Sequence, residues 1–146
     1  MQEFSPLGTY LEIVNTIGRW KVIPLPGLFE AFSKQITYTP FAKRVQALER
    51  AGLIRAFTKN RMKYLVLTQE GSRVSKYKNY YNENEDSLNH DMIAANILRQ
   101  LLKFENFQEG HMFVDDRWDI DPDAVIFAKR GESKYSLAIE VELTQK

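Results

Sequence analysis

No cysteine occurs among the 146 residues, and the only histidines are His90 and His111. Disulfide bonds and thiol nucleophiles are therefore excluded, and two histidines leave too few ligands for a structural zinc site. The longest unbroken apolar runs, such as residues 124–128, fall far short of the roughly 20 residues that a membrane helix needs. The first residues also lack the basic and apolar segments of a signal peptide. We therefore expect a cytoplasmic protein with no membrane contact.

Glycine is sparse as well, and the seven glycines are scattered along the chain. They form no phosphate-cradling loop, and no serine lies in a recognisable nucleophile motif. Hydrophobic residues make up 44% and charged residues 27% of the chain, which is the balance of a globular protein rather than a disordered one. A length of 146 residues allows one medium domain or two small ones.

The net charge of +1 conceals two regions of opposite sign. Residues 33–78 carry 11 basic and 2 acidic side chains, a net charge of +9, whereas residues 79–146 carry 7 basic and 14 acidic side chains, a net charge of −7. A strongly basic block inside a nearly neutral protein is typical of a surface that binds a polyanion. The alternative is that these charges are only solvated and bind nothing.

The strongest helix signal lies within the basic block. Thr39 is predicted to be its N-cap, Pro40 to take the first helical position and Gly52 to end it. Its apolar stripe recurs at positions 41, 45 and 48, the spacing of one helical face. Opposite this stripe we place four side chains that can reach phosphates and base edges: Lys43, Arg44, Gln46 and Arg50.

Shorter signals surround that helix. Ser5 and Pro6 predict a first helix through about Gly18, and a proline-rich turn precedes a short second helix over residues 28–32. Two strands, residues 53–57 and 64–67, are joined by a basic link. Residues 68–71 predict the start of another short helix. The predicted layout is therefore three helices followed by a hairpin with a basic tip.

This layout and two stretches of sequence resemble the winged helix-turn-helix proteins. The stretches are Val-Gln-Ala-Leu-Glu-Arg-Ala-Gly-Leu-Ile at residues 45–54 and Tyr-Leu-Val-Leu-Thr-Gln-Glu-Gly at residues 64–71. The resemblance implies binding of double-stranded DNA, although winged helices also serve as protein-interaction modules. A helix that enters the major groove needs polar and cationic side chains, and a basic wing can follow the backbone or the minor groove. We therefore predict DNA contacts from Thr37, Thr39, Lys43, Arg44, Gln46, Lys59, Arg61 and Lys63.

Residues 74–86 are polar and tyrosine-rich and turn from basic to acidic partway. Such a shift in composition marks a domain boundary. We predict a winged-helix domain over residues 1–78, a linker over residues 79–86 and a second domain over residues 87–146.

The acidic half predicts one long helix followed by three strands. The helix starts at Ser87 and runs to about Phe104, and His90 in its apolar seam is interpreted as a core or capping residue. Residues 110–114 form the first strand, while residues 122–128 and 135–143 form a hairpin. The second domain is thus an α-β-β-β arrangement, and the whole chain belongs to the α+β class.

Four carboxylates meet in the expected register of that hairpin. If Gly131 and Glu132 make a two-residue turn, Asp123 lies opposite Glu140, and one pair further out Asp121 lies opposite Glu142. Like charges that face each other across strands are destabilising unless a cation or solvent compensates them. Oxygen-only ligands favour Mg²⁺ or Mn²⁺, so we expect one of these ions here if the cluster is active.

The same residues resemble the active-site signature of the PD-(D/E)XK nuclease-like fold: Asp121-Pro122-Asp123, followed by Glu140-Val141-Glu142 on an apolar strand. The resemblance implies metal ligation by Asp123 and Glu140, and catalysis by Asp123, Glu140 and Glu142. Asp121 is a further expected metal ligand from the carboxylate cluster. Glu142 stands where that fold usually has a lysine. Only four residues follow it, so we expect this nuclease-like domain to be incomplete.

The order of motifs along the chain is similar to the replication-relaxation family of plasmids and integrative elements. The motifs are Leu-Asn-His-Asp at residues 88–91, Asp-Pro-Asp-Ala at residues 121–124 and Ile-Glu-Val-Glu-Leu-Thr at residues 139–144. The resemblance implies DNA binding in the replication, transfer or control of a bacterial mobile element. Two alternatives stay open: a Mg²⁺-dependent endonuclease, and a transcriptional regulator whose acidic half forms a homodimer or binds a partner protein.

Overall fold

The computed structural model describes residues 8–81, 87–105, 107–112 and 123–141. It divides the chain into two compact units, which we name unit 1 (Met1–Glu83) and unit 2 (Asn84–Lys146). In the residues so described, each unit has a three-stranded antiparallel sheet, with four helices in unit 1 and one in unit 2, so the expected α+β class is confirmed. None of the helices within the described residues has the length and apolar content needed to cross a bilayer.

Within residues 8–81, unit 1 forms four helices and three strands. In chain order they are α1 (Thr9–Trp20), β1 (Val22–Pro24), α2 (Leu25–Phe32), α3 (Tyr38–Arg50), β2 (Ile54–Lys59), β3 (Met62–Leu67) and α4 (Gln69–Val74). The start predicted for the first helix, at Ser5 and Pro6, lies outside the described residues.

The sheet of unit 1 has the order β1-β3-β2, so β3, the last of these three strands in sequence, is the central one. Val22 pairs with Val66 on one side of β3, and Arg55 pairs with Val66 on the other. We predicted only a turn where β1 lies. A three-residue strand that ends in a proline has no detectable period of its own, and pairing with β3 is what makes it a strand.

The core of unit 1 lies between this sheet and the first three helices. Ile13 and Ile17 of α1, Leu28 of α2 and Phe41 of α3 are completely buried. The Phe41 ring also stacks on the Phe32 ring, with 5.9 Å between centroids. Because its apolar stripe is anchored in this way, α3 holds its opposite face to solvent in a fixed orientation.

The ends of α3 differ in part from the prediction. The N-cap is Thr37 rather than Thr39, which lies inside the first turn, as does Pro40. Proline is tolerated there because the first N–H groups of a helix have no intrahelical partner. Gly52 follows the C-cap with a φ of 78°, and the Leu53 amide donates to the Leu48 carbonyl at 3.1 Å. Gly52 therefore ends the helix as predicted.

The hairpin of unit 1 is longer and tighter than predicted. Strands β2 and β3 extend toward each other until Lys59 pairs with Met62, so the turn consists of only Asn60 and Arg61. Both turn residues have positive φ, 52° and 65°, which is the backbone of a type I′ turn. The link predicted over residues 58–63 is therefore mostly strand, and Arg61 occupies the extreme tip.

The chain remains packed on unit 1 as far as residue 81. The Asn79 side-chain amide donates to the Gly18 carbonyl at 2.5 Å, and Tyr81 is only 6% exposed.

The described part of unit 2 forms one helix and three strands. They are α5 (Ser87–Leu101), β4 (Phe107–Met112), β5 (Ala124–Arg130) and β6 (Ser133–Ile139), and the sheet has the order β4-β5-β6. The helix ends at Leu101, short of the predicted Phe104. The first strand starts at Phe107, ahead of the predicted residue 110. The second strand begins and ends two residues later than predicted, whereas the third begins two residues earlier and ends four residues earlier.

The hairpin register in unit 2 is the predicted one. Arg130 pairs with Ser133 and Ala124 with Ile139, and Gly131 in the turn has a φ of 61°. Residues 124, 126 and 128 are buried on one face of β5. Leu98 of α5 is buried as well, so this helix and the buried face of β5 form the core of unit 2.

Candidate functional site

The solvent face of α3 carries a line of four polar side chains. Thr39, Lys43, Gln46 and Arg50 follow one another at the spacing i, i+4, i+7 and i+11, and all four are exposed. At 3.6 residues per turn this spacing keeps them within one narrow strip. They lie opposite the buried residues of the same helix. We name this set the α3 stripe.

Arg44 does not belong to the α3 stripe, and its predicted place opposite the apolar residues is wrong. It is half-buried, and its guanidinium lies over the ring of Tyr10, 5.7 Å from the centroid. The reason is geometric, since each step along a helix turns the side chain by about 100° and carries Arg44 toward α1. Arg44 therefore contributes to packing between α1 and α3.

The other residues predicted to bind DNA lie next to α3 or on the hairpin. Thr37 is the exposed N-cap of α3. Lys59 and Lys63 are half-buried on β2 and β3, and Arg61 is exposed at the tip. The Lys63 ammonium lies 3.8 Å from the Glu49 carboxylate of α3. This ion pair brings the hairpin beside the second half of α3, where Gln46, Glu49 and Arg50 line an open depression.

Three cations on this face have no acidic partner among the described residues of unit 1. Among residues 8–81, no ion pair involves Lys43, Arg50 or Arg61. Glu49, the acidic residue of α3, already faces Lys63. The face formed by the α3 stripe and the hairpin tip is therefore positively charged.

Unit 2 holds a separate cluster of polar side chains where α5 meets the ends of β5 and β6. His90 Nδ1 lies 3.2 Å from Asp123 Oδ1 and 4.0 Å from Asp91 Oδ1. Asp91 is buried, with 6% exposure. The backbone of Val141 completes the arrangement, since its N–H donates to Asp123 Oδ2 at 2.6 Å and its carbonyl contacts His90 Nε2.

This cluster differs in membership from the carboxylate group expected from the sequence. Asp121 and Glu142 lie outside the described residues. Glu140 is exposed and is absent from the group of ligand atoms that lie within 4.8 Å of one another. The physical reason for this difference is that Asp123 lies before the first residue of β5. Its side chain is therefore not bound to the alternation of faces along the strand, and its carboxylate points toward His90 of α5. His90 was interpreted as a core or capping residue, and Asp91 was named only as part of the Leu-Asn-His-Asp motif and not as a site residue. The adjacent His-Asp pair at the start of a helix was the available signal.

The donor set of this cluster fits a divalent cation. One imidazole nitrogen and two carboxylate oxygens converge, and Val141 orients two of the three side chains in the way that outer contacts orient metal ligands. A nitrogen ligand favours Mn²⁺, Zn²⁺ or Fe²⁺ over Mg²⁺. Without an ion, the 3.2 Å contact between His90 Nδ1 and Asp123 Oδ1 still joins α5 to the start of β5. In that case the cluster fastens α5 to the ends of β5 and β6.

The described residues thus present two candidate sites: a cationic face on unit 1 and a His-Asp-Asp cluster in unit 2. The first offers charge and hydrogen-bond donors on a rigid helix, and the second offers ligands for one ion. A scan against protein-family models, a search of curated proteins and a search of solved structures each gave no match to this chain.

Proposed function

We propose that unit 1 is a winged helix that binds double-stranded DNA, with α3 in the major groove and the β2–β3 hairpin as the wing. The observation that carries this proposal is the α3 stripe, an exposed polar strip on a helix whose opposite side is fully buried. The order α1-β1-α2-α3-β2-β3 and the sheet order β1-β3-β2 support it, because they place the hairpin directly after α3.

Each member of the α3 stripe has a role in this proposal. Lys43 and Arg50 are seven residues apart, about 10 Å along the helix axis, and bind phosphates on either side of the groove. Gln46 lies between them and can hydrogen-bond a base edge, as glutamine does with adenine. Thr39 at the N-terminal end bonds to the backbone. Phosphate contacts supply most of the affinity, and Gln46 supplies sequence preference.

The backbone conformation of Arg61, at the tip of the hairpin, supports the proposal that the hairpin contacts DNA. Its φ of 65° is unfavourable for a residue with a Cβ, by roughly 1–2 kcal/mol, and glycine is the preferred residue there. Strained residues of this kind cluster at binding sites. In the proposed function, the guanidinium of Arg61 contacts the DNA backbone or minor groove and compensates for this strain.

Arg61→Gly tests the wing. We expect unit 1 to become more stable to urea by about 1 kcal/mol, because the strain is relieved. Binding of a labelled 20-base-pair duplex, measured by fluorescence anisotropy in 50 mM salt, should weaken about fivefold. Stability and affinity should therefore change in opposite directions.

Asn60→Gly is the matched control, because Asn60 shares the turn and has a φ of 52° but carries no charge. It should raise stability slightly and leave affinity unchanged. If both variants bind duplex DNA as tightly as the wild type, the wing does not contact DNA.

The cellular role proposed for this DNA binding is replication, transfer or control of a bacterial mobile element, in the cytoplasm. A transcriptional regulator would use the same face of unit 1. Both roles require recognition of duplex DNA by unit 1.

A second candidate function, metal-dependent DNA cleavage, is favoured by the His-Asp-Asp cluster of unit 2. We expect 1 mM Mn²⁺ to raise the thermal unfolding midpoint of the full chain by several degrees relative to EDTA, since an ion that binds only the folded state stabilises it. His90→Gln should abolish this shift, whereas Glu140→Gln should retain it.

The same samples, incubated with supercoiled plasmid, report whether bound metal supports strand cleavage. A wild-type unfolding midpoint that is identical in Mn²⁺ and EDTA would contradict metal binding and this second function. The cluster would then serve only to hold α5 against the ends of β5 and β6.

A further inference from the structure

The outer edge of β6 has no strand partner among the described residues. The sheet of unit 2 has the order β4-β5-β6, so β6 pairs with β5 on one side only. Every residue from 133 to 138 is exposed. A free strand edge presents unpaired N–H and C=O groups and can add a strand from another chain.

One face of β6 is also apolar and incompletely covered. Tyr135 pairs with Ala128 and Leu137 with Ile126, so both project from the face of the sheet that α5 covers. That helix packs mainly over β4 and β5, and Tyr135 and Leu137 each remain 40% exposed. On α5 itself, Ile93 and Ile97 remain 39% and 40% exposed. Unit 2 therefore leaves apolar side chains uncovered on both its helix and its edge strand.

The two-residue turn between β5 and β6 determines which residues of β6 direct their backbone N–H and C=O groups toward the open edge. Residues that flank a two-residue hairpin turn exchange both of their hydrogen bonds, which directs Ser133, Tyr135 and Leu137 toward β5. The alternate residues Lys134, Ser136 and Ala138 then direct their N–H and C=O groups to the open edge. These groups can form a new antiparallel ladder without disturbing the existing one.

We propose that two copies of this chain associate through β6, edge to edge and antiparallel, to form a continuous six-stranded sheet. A two-fold axis at Leu137 places this residue against its own copy. It also places Tyr135 opposite Ile139 of the second copy, and Lys134 opposite Glu140 of the second copy. In this dimer, the apolar face of β6 from both copies lies between the two α5 helices.

Charge complementarity identifies the occupant as a second copy. Lys134 and Glu140 lie three residues on either side of Leu137, and both are exposed. A two-fold axis at Leu137 therefore pairs the positive residue of each copy with the negative residue of the other, twice per dimer. Opposite charges across an antiparallel pair are stabilising and like charges are destabilising. Two-fold dimers bring the same patch of each subunit together, so a strand that complements itself in this way fits its own copy.

Reversing these charges tests both the dimer and its register. The full chain is examined by sedimentation velocity between about 5 and 200 µM, where we expect the wild type to dimerise. Lys134→Glu creates two Glu-Glu contacts, and Glu140→Lys creates two Lys-Lys contacts. Each single variant should raise the dimer dissociation constant about tenfold or more. The double variant Lys134→Glu, Glu140→Lys restores opposite charges and should return the constant to within about threefold of the wild type.

A second variant tests the ladder itself. Ser136→Pro removes an N–H group that faces the open edge, and proline is tolerated at such positions of edge strands. It should abolish dimerisation while circular dichroism shows an unchanged fold. A wild type that stays monomeric at 200 µM would overturn the proposal. So would single charge variants that dimerise like the wild type, or a double variant that fails to recover. The proposal does not depend on DNA binding by unit 1.

Discussion

Gly71→Ala is expected to destabilise unit 1 by about 3 kcal/mol or more, because overpacking a buried site against backbone is among the most damaging single changes. Gly71 lies in the first turns of α4 and is buried. A Cβ at this position would overlap the carbonyl oxygen of Leu53. That oxygen also accepts a hydrogen bond from the amide of Thr68, the N-cap of α4, at 3.2 Å. It therefore cannot move aside without breaking this hydrogen bond.

Urea unfolding followed by circular dichroism measures this effect, and Gly52→Ala is the control. Gly52 has a φ of 78° but open space around its missing Cβ, so alanine there should cost only about 1–2 kcal/mol of backbone strain. If the two variants are equally stable, the close approach of α4 to Leu53 is not a feature of the folded protein.

The double variant Lys43→Ala, Arg50→Ala is expected to weaken binding of duplex DNA about 100-fold in 50 mM salt. Each side chain is proposed to make one charge-assisted bond to a phosphate, and loss of about 1.4 kcal/mol per contact corresponds to a factor of ten. Both side chains are exposed, so the fold should not change. Fluorescence anisotropy with a labelled duplex gives the affinity, and a thermal melt verifies the fold.

Arg73→Ala, Lys76→Ala is the matched control, since it also removes two positive charges, in this case from exposed positions outside the α3 stripe. Long-range attraction to DNA falls by a similar amount in both variants. If the control loses as much affinity as the α3 variant, binding depends on net charge and not on α3.

Much of the fold could be predicted because several sequence signals act locally. The apolar period of α3 and the glycine that ends it identified this helix to within two residues. In unit 2, Gly131 identified the hairpin turn, and a two-residue turn fixes the register of every pair that follows.

Other elements depend on contacts that are distant in the sequence. Strand β1 consists of three residues that become extended only by pairing with β3. The limits of β2 and β3 depend on how many residues of the two strands pair before the chain turns. The turn residues are Asn60 and Arg61, so no glycine marked the position of this turn in the sequence. The prediction placed Arg44 on the solvent face of α3 because it considered only that the residue is polar. It did not consider the angle of Arg44 around the helix axis, which directs it toward α1.

The candidate site of unit 2 shows the same limit. The hairpin register was predicted correctly, yet Asp123 meets His90 and Asp91 of α5 rather than an acidic residue of the neighbouring strand. Packing of the helix across the sheet decides this meeting, and such packing depends on buried side chains such as Leu98 of α5 and Ile126 of β5 rather than on any local pattern.

The most direct test of the central proposal is the salt dependence of duplex binding. If unit 1 neutralises about six phosphates, the logarithm of the association constant should fall with the logarithm of salt concentration with a slope near −5. In Lys43→Ala, Arg50→Ala the slope should become shallower by about 2, since two phosphate contacts are lost. Absence of wild-type binding at 50 mM salt, or equal slopes for wild type and variant, would contradict DNA recognition by the α3 stripe.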